Sequence, residues 1–420
     1  MTAATTSDTA TAESPAPAAT APHGRGGGRG GGNGKRNGGT APAGRLARWR
    51  APLGFALGAL LLFGVAPAVL GDFRLGLLAK YLCFAIVAVG ISLAWGRGGM
   101  LTLGQGLFFG LGGYAMAMHM KLADAGPGRL PDFMLLYGDS DTLPWWWVPF
   151  ASPVLALAAV VLLPAALAAL IGWFVFRRRV RGAYFAILSQ ALALAFSLLL
   201  IGQQATTGGT NGLTNFQGFF GYSLLDPVNK RLVYFLIAGV LLGLMALTRQ
   251  IFLSRYGELL VAVRDSEERV RFLGYDPALV KLGAYVYSAV MAGLAGALFV
   301  PAVGIISPAL IGIVPSIEFL IGAAIGGRAS LVGAALGAIA VAWAQTTLSE
   351  EFPAGWTYFQ ALLFIVVVAF LPGGLASLGR LLPRLRRPAR TAAPDPPAPD
   401  PPAPSAGQAG PATAAKETGA

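Results

Sequence analysis

One stretch of this largely apolar chain is dense in ionisable residues, Val263-Arg264-Asp265-Ser266-Glu267-Glu268-Arg269-Val270-Arg271-Phe272-Leu273-Gly274. Asp265 followed three residues later by Glu268 is a capping-box spacing, in which each side chain accepts from an open N–H of a helix's first turn. Gly274 offers the left-handed residue that ends a helix. Asp276-Pro277 then reads as the cap and first turn of the next one. The pattern predicts a helix of about two turns, with Val270 and Leu273 at a three-residue spacing among Glu and Arg. So short a helix is marginal in water and needs a surface to dock on. Two surfaces fit: the headgroup layer of a membrane, or a groove in a partner protein.

Other chemistry is poorly supplied. There is one cysteine, Cys83, and two histidines, His23 and His119, so no disulfide or Cys/His metal site is expected. Gly30-Gly31-Gly32-Asn33-Gly34-Lys35-Arg36 superficially resembles a phosphate loop. However, Arg29 stands where that loop wants Gly, and Arg36 where it wants the magnesium-binding Ser or Thr. No bound cofactor is expected.

The elements that must position the charged stretch follow from composition. Hydrophobic residues make up 55% of 420, charged residues 12%, and mean hydropathy is +0.63. A soluble domain carries about 25% charged residues. The apolar residues fall into blocks of about 20, enough to cross a bilayer as helices. The spacing predicts spans at 52–70, 76–95, 101–120, 153–176, 183–201, 232–248, 282–300, 316–326, 331–348 and 356–372. The eighth is short enough to be broken or re-entrant. The fold class expected is all-α, a polytopic bundle of about ten spans occupying 51–380, with its charged loop at 249–281. Tails 1–50 and 381–420 are too poor in large apolar residues to fold and are expected to be disordered.

Charge sets the orientation. Basic residues fill alternate connections: Arg45, Arg48 and Arg50; Arg97; Arg177 to Arg179 and Arg181; Arg249 to Lys281; Arg328; Arg380 to Arg387. The other connections carry Asp124, Asp132, Asp139, Asp141, Asp226, Glu350 and Glu351. The basic face is therefore expected to be cytoplasmic, with both termini on it. That rule also accounts for the net charge of +12, so no nucleic-acid partner is invoked. Trp145, Trp146 and Trp147 are expected at the outer headgroup layer. A weak internal echo links Gly96-Arg97-Gly98-Gly99 with Gly326-Gly327-Arg328, two inner turns that each precede a Gly-rich helix.

Glu268-Arg269-Val270 followed by Gly274 resembles the coupling motif of ABC importer permeases, with that motif's two alanines replaced. More specific are Ser254-Arg255-Tyr256-Gly257, Val263-Arg264-Asp265, Phe272-Leu273-Gly274-Tyr275 and the run from Ser288 to Leu298. With Leu103-Gly104-Gln105-Gly106, the run from Thr207 to Thr214 and Gly326-Gly327-Arg328, they resemble the branched-chain amino acid/urea permease family from about Tyr81 to Leu378. Leu130-Pro131-Asp132-Phe133-Met134, Leu143-Pro144-Trp145 and Arg264-Asp265-Ser266-Glu267 leading to Arg271 are similar to its urea and short-chain amide branch.

The resemblance implies a subunit of an ATP-driven importer in the cytoplasmic (inner) membrane, not an enzyme itself. Its partners would be a second related permease, two ATP-binding subunits that hold the ATP, and an extracytoplasmic solute-binding protein, with membrane lipid around the bundle. Arg264, Asp265, Glu267, Glu268 and Gly274 would couple to the ATPases. For urea, which is saturated with donors and acceptors, a dry passage would strip several kcal/mol of hydrogen bonding. The pathway candidates are therefore Gln105, Ser189, Gln190, Thr207, Thr210, Asn211, Glu318 and Gln345, with Glu318 expected to snorkel to water and Gln190 to bond between helices. A branched-chain amino acid permease and a passive urea or amide channel are the alternatives.

Overall fold

The computed structural model describes residues 53–137, 142–180, 182–352, 355, 358–362 and 365. It is an all-helical bundle. The long helices are α1 (Leu53–Val69), α2 (Asp72–Arg97), α3 (Gln105–Ala125), then, after a short α4 (Asp132–Tyr137), α5 (Pro153–Arg177) and α6 (Ala183–Gly202). They continue with α7 (Pro227–Leu253), the small α8 (Arg255–Asp265) and α9 (Glu267–Phe272), α10 (Pro277–Val303), α11 (Ile313–Gly326) and α12 (Leu331–Glu351). Among the described residues seven helices are long and apolar enough to cross a membrane, so the expected bundle stands while a count of ten does not follow. The tenth expected span, 356–372, and both tails fall largely or wholly outside the described residues.

Burial grades the helices. In α2, 83% of the apolar window lies inside the protein, against 22% in α5. The centre is α2, α3 and α10, with α5 and α6 laid on α3, α7 on α2, and the α11–α12 pair closing the other side. The α3–α10 crossing is close because neither helix carries a side chain there: a Cβ on Gly112 would strike the Gly293 backbone, and one on Gly296 the Phe109 carbonyl. A core of Phe84, Phe109, Phe299 and Phe319 packs beside it, with ring centroids 5.1–6.3 Å apart.

Three local expectations change. The third span does not begin at Leu101. α2 ends in a wide π-type turn, and residues 98–104 then run without helix into the bundle before α3 starts at Gln105. The charged loop is shorter than 249–281, because α7 continues to Leu253 and α10 starts at Pro277. α11 is short, as the eighth apolar run predicts: it has 14 residues, about 21 Å of helix, and reaches crossing length only with the 3-10 turn Pro308–Leu310 before it. It follows a non-helical entry in which β4 (Ile305–Ile306) pairs antiparallel with β1 (Leu213–Thr214). A second small hairpin joins β2 (Gly218–Phe219) to β3 (Tyr222–Ser223), and its start is held by Asp124, whose carboxylate accepts from Gln217 N and Gly218 N. The three tryptophans also separate: Trp145 is exposed, whereas Trp147 is fully buried against Phe133 and Trp146.

Candidate functional site: a charged loop and the strap beneath it

Between α7 and α10 the chain makes two short helices at the basic end of the bundle. Ser254 caps α8, accepting from Gly257 N, and Asp276 caps α10, accepting from Ala278 N, as Asp-Pro predicts. Gly274 has φ +86° and turns the chain out of α9. The expected capping box does not form. Asp265 is the last residue of α8, and Ser266 takes the N-cap place of α9 without a side-chain bond. The spacing was right for a cap, but α8 runs on through Asp265 and uses that residue up.

The loop is fastened at three points. Arg264 donates from Nη1 to the Gly96 carbonyl at 2.9 Å and from Nε to Asp265 Oδ1 at 3.0 Å. Lys281 pairs with Glu267 in a largely buried contact. Tyr256 donates its hydroxyl to the Val280 carbonyl at 2.8 Å, and burial pushes its phenol pKa up to about 12, so it stays a neutral donor through the physiological range. What the loop leaves outside is apolar. Val270 is buried, but Phe272 is 91% exposed, Leu273 74%, and Tyr275 is exposed beside them. The apolar face that the loop leaves open is therefore led by Phe272 and Leu273 rather than by the expected Val270 with Leu273. Glu268 is exposed next to them.

Arg264 grips the turn that leads into the non-helical strap, 98–104: it bonds the Gly96 carbonyl and its side chain packs against Gly99. The strap's far end is held by side chains from distant helices. Ser189 of α6 accepts from Leu103 N at 3.1 Å and donates to its own Ala186 carbonyl, and Ser316 of α11 accepts from Gly106 N at 3.1 Å. Irregular backbone at membrane depth persists only where protein satisfies it in this way. Gln105, fully buried, donates to Thr102 Oγ1 at 2.9 Å and to Ser288 Oγ at 3.1 Å, while its Oε1 has no partner. A cavity of about 190 Å³ lies between strap and loop, touched by Gly99, Leu101, Phe176, Arg264, Glu267 and Lys281.

The polar candidates do not converge on one site. Gln105 and Ser189 belong to the strap. Gln190 is half-buried and outside that network, without the interhelical bond expected of it. Thr207 is buried and spends its hydroxyl on the Leu200 and Gln203 carbonyls, whereas Thr210 and Asn211 are exposed at the acidic end. Glu318 does not snorkel. It is 9% exposed, accepts from Gln345 Nε2 at 2.7 Å, and feels the Lys80 ammonium of α2. Lys80, Ser288 and Ser316 were missed because their partners lie far away in sequence.

Residues 73–371, more than half of the chain, match the family described as branched-chain amino acid transport system / permease component. The chain is 26% identical over 351 residues to the high-affinity branched-chain amino acid transport system permease protein LivM of Salmonella typhimurium, covering 77% of this chain and 74% of that one. The same protein from Escherichia coli K12 gives the same identity and coverage. No solved structure matches. A multi-helical membrane bundle with this match along its length belongs to the branched-chain amino acid transport system permease family.

Proposed function

We propose that this chain is a membrane-spanning subunit of an ATP-binding-cassette importer in the cytoplasmic membrane, and that its solute is an amino acid with a branched apolar side chain. The observation that carries the transport mechanism is the apolar tip of the charged loop. Phe272 and Leu273 stand in the open on a helix held in place by Arg264 and the Lys281–Glu267 pair. Each such side chain gains about 1.5–3 kcal/mol on burial, so a groove that covers both supplies a firm foothold. In this reading the basic end faces the cytosol, two partner ATPases bind the ATP, and Arg264, Asp265, Glu267, Glu268 and Gly274 shape the contact. A second related permease and an extracytoplasmic solute-binding protein complete the complex. When the ATPases close, the loop moves, and Arg264 draws on the strap that ends at Gln105.

The names of the two relatives favour an amino acid over urea or a short-chain amide. The scatter of the polar candidates supports the same choice, since a urea passage needs polar groups in sequence along it. The urea reading rests on Leu130 to Met134 and Arg264 to Glu267. Reconstituting the complete complex in liposomes decides between them. ATP-dependent uptake of leucine with no uptake of urea is expected. Solute flux that persists without the ATPases would instead mark a channel.

A further inference from the structure

A groove of about 440 Å³ opens between α5 and α6 toward the acidic end, with α3 as its floor. The floor is a stripe of Leu111, Tyr114, Ala115 and Met118, at the i, i+3, i+4 and i+7 positions of one helix face. Leu163 of α5 and Leu199 of α6 stand on its walls, and Gln203, Thr206 and Thr207 stand at the end of α6 that borders its mouth. Tyr114 is 3% exposed, and its hydroxyl has no hydrogen-bond partner among the described residues. A buried orphan hydroxyl is costly unless something outside the chain completes it.

One turn before Leu111 on the same helix lies Phe108, the first of a cluster of four aromatic rings. Phe108 meets Tyr285 at 5.6 Å between ring centroids, Tyr285 meets Phe176 and Phe185 at 5.9 and 5.3 Å, and these two meet each other at 5.3 Å. Phe176 and Phe185 are also walls of the cavity between strap and loop, whose remaining lining includes Arg264, Glu267 and Lys281. Four rings packed mostly edge to face thus connect the α3 stripe that floors the groove with the walls of the inner cavity, which is also bounded by the residues that fasten the charged loop.

We propose that this connection is the solute track: the outer groove receives the solute, the Phe108–Phe176–Phe185–Tyr285 cluster is its gate, and movement of the loop opens the gate. The proposal rests on the amino acid importer reading above and adds where the solute passes. The occupant is an amino acid whose branched side chain lies against Leu111, Ala115 and Leu199 while a polar atom of its head meets the Tyr114 hydroxyl. The second permease of the complex covers the groove's open side.

The test uses the complete complex in liposomes, with uptake of radiolabelled leucine as one readout and labelling by a diazirine leucine analogue as the other. Leu163→Trp and Leu199→Trp fill the groove from positions that are themselves partly exposed, so they fold. Each is expected to cut uptake about tenfold or more by occupying the solute's volume. Leu198→Trp, equally exposed but off the groove, changes uptake less than about twofold. Tyr114→Phe keeps the shape and raises the KM for leucine roughly fivefold, the weight of one neutral hydrogen bond. The analogue labels α3 and α6 between Leu111 and Gln203. Normal uptake by both tryptophan variants, or groove labelling by a photoreactive phosphatidylcholine in place of the leucine analogue, overturns the track and leaves the importer reading standing. A wild-type complex that takes up no leucine overturns both.

Discussion

Two turns at the basic end are made of nearly the same residues, and they touch: a Cβ on Gly96 would strike the Arg328 carbonyl, and the Arg328 guanidinium lies 5.1 Å from the Trp95 ring centroid. They lead to different structures. After Gly326-Gly327-Arg328 the chain closes on itself at once. Ser330 N donates to the Gly327 carbonyl, Ser330 Oγ accepts from Gly333 N, and α12 begins. After Gly96-Arg97-Gly98-Gly99 no helix starts. Gly98, Gly99 and Met100 donate their N–H groups back to the Leu93, Trp95 and Ala94 carbonyls, and the chain then runs into the bundle as far as Gly104. Arg264 holds the Gly96 carbonyl, Ser189 takes the Leu103 N–H, and Gln105 joins Thr102 to Ser288. Turn chemistry is shared; the reach of the partners is not. A locally closed turn can only hold two helices together, whereas one wired to the charged loop can pass a movement on.

Arg264→Ala tests that difference most severely. It removes a charge-assisted bond to a main-chain carbonyl, a class that contributes about 1.5–3 kcal/mol. Solute-stimulated ATP hydrolysis by the assembled complex is expected to fall about tenfold or more while the chain still inserts. If Arg328→Ala lowers hydrolysis equally, the two turns are equivalent and the contrast is lost. Ser189→Ala comes next. It strands the Leu103 N–H inside the bundle, at a cost of about 1–3 kcal/mol seen as a lower thermal midpoint, together with weaker coupling. The smallest effect belongs to Ser330→Ala, which loses a helix cap of about 1 kcal/mol and is expected to lower the thermal midpoint slightly with coupling intact. A Ser330→Ala variant that uncouples hydrolysis would show that the closed turn also transmits.

Much of this was legible in the sequence where the determining forces are local. Apolar runs located the helices, alternate basic connections separated the two ends, and Asp276-Pro277 and Gly274 marked the helix start and stop that are observed. The apolar pattern starts the third span at Leu101 because Leu101 and Leu103 are as apolar as any span, and the Leu103 N–H is satisfied instead by Ser189, 86 residues away. Glu318 is expected to reach water because the sequence places it near a membrane boundary. Its partners Gln345 and Lys80 come from α12 and α2, and such pairing is visible only once the helices are packed. The docking tip was half read: hydrophobic spacing named Leu273, but the rotation of α9 that buries Val270 and turns Phe272 outward depends on its fastening to α8 and α10.

The most direct measurement is a single thiol at the loop's tip. Cys83 is fully buried, so Phe272→Cys adds one accessible sulfhydryl to the described surface. In membranes holding the complete complex, that thiol is expected to crosslink to an ATP-binding subunit, with a yield that changes between the nucleotide-free and ATP-bound states. Modification of the thiol by an impermeant reagent from the outer side, or an intact complex that gives no crosslink in either state, would contradict the account.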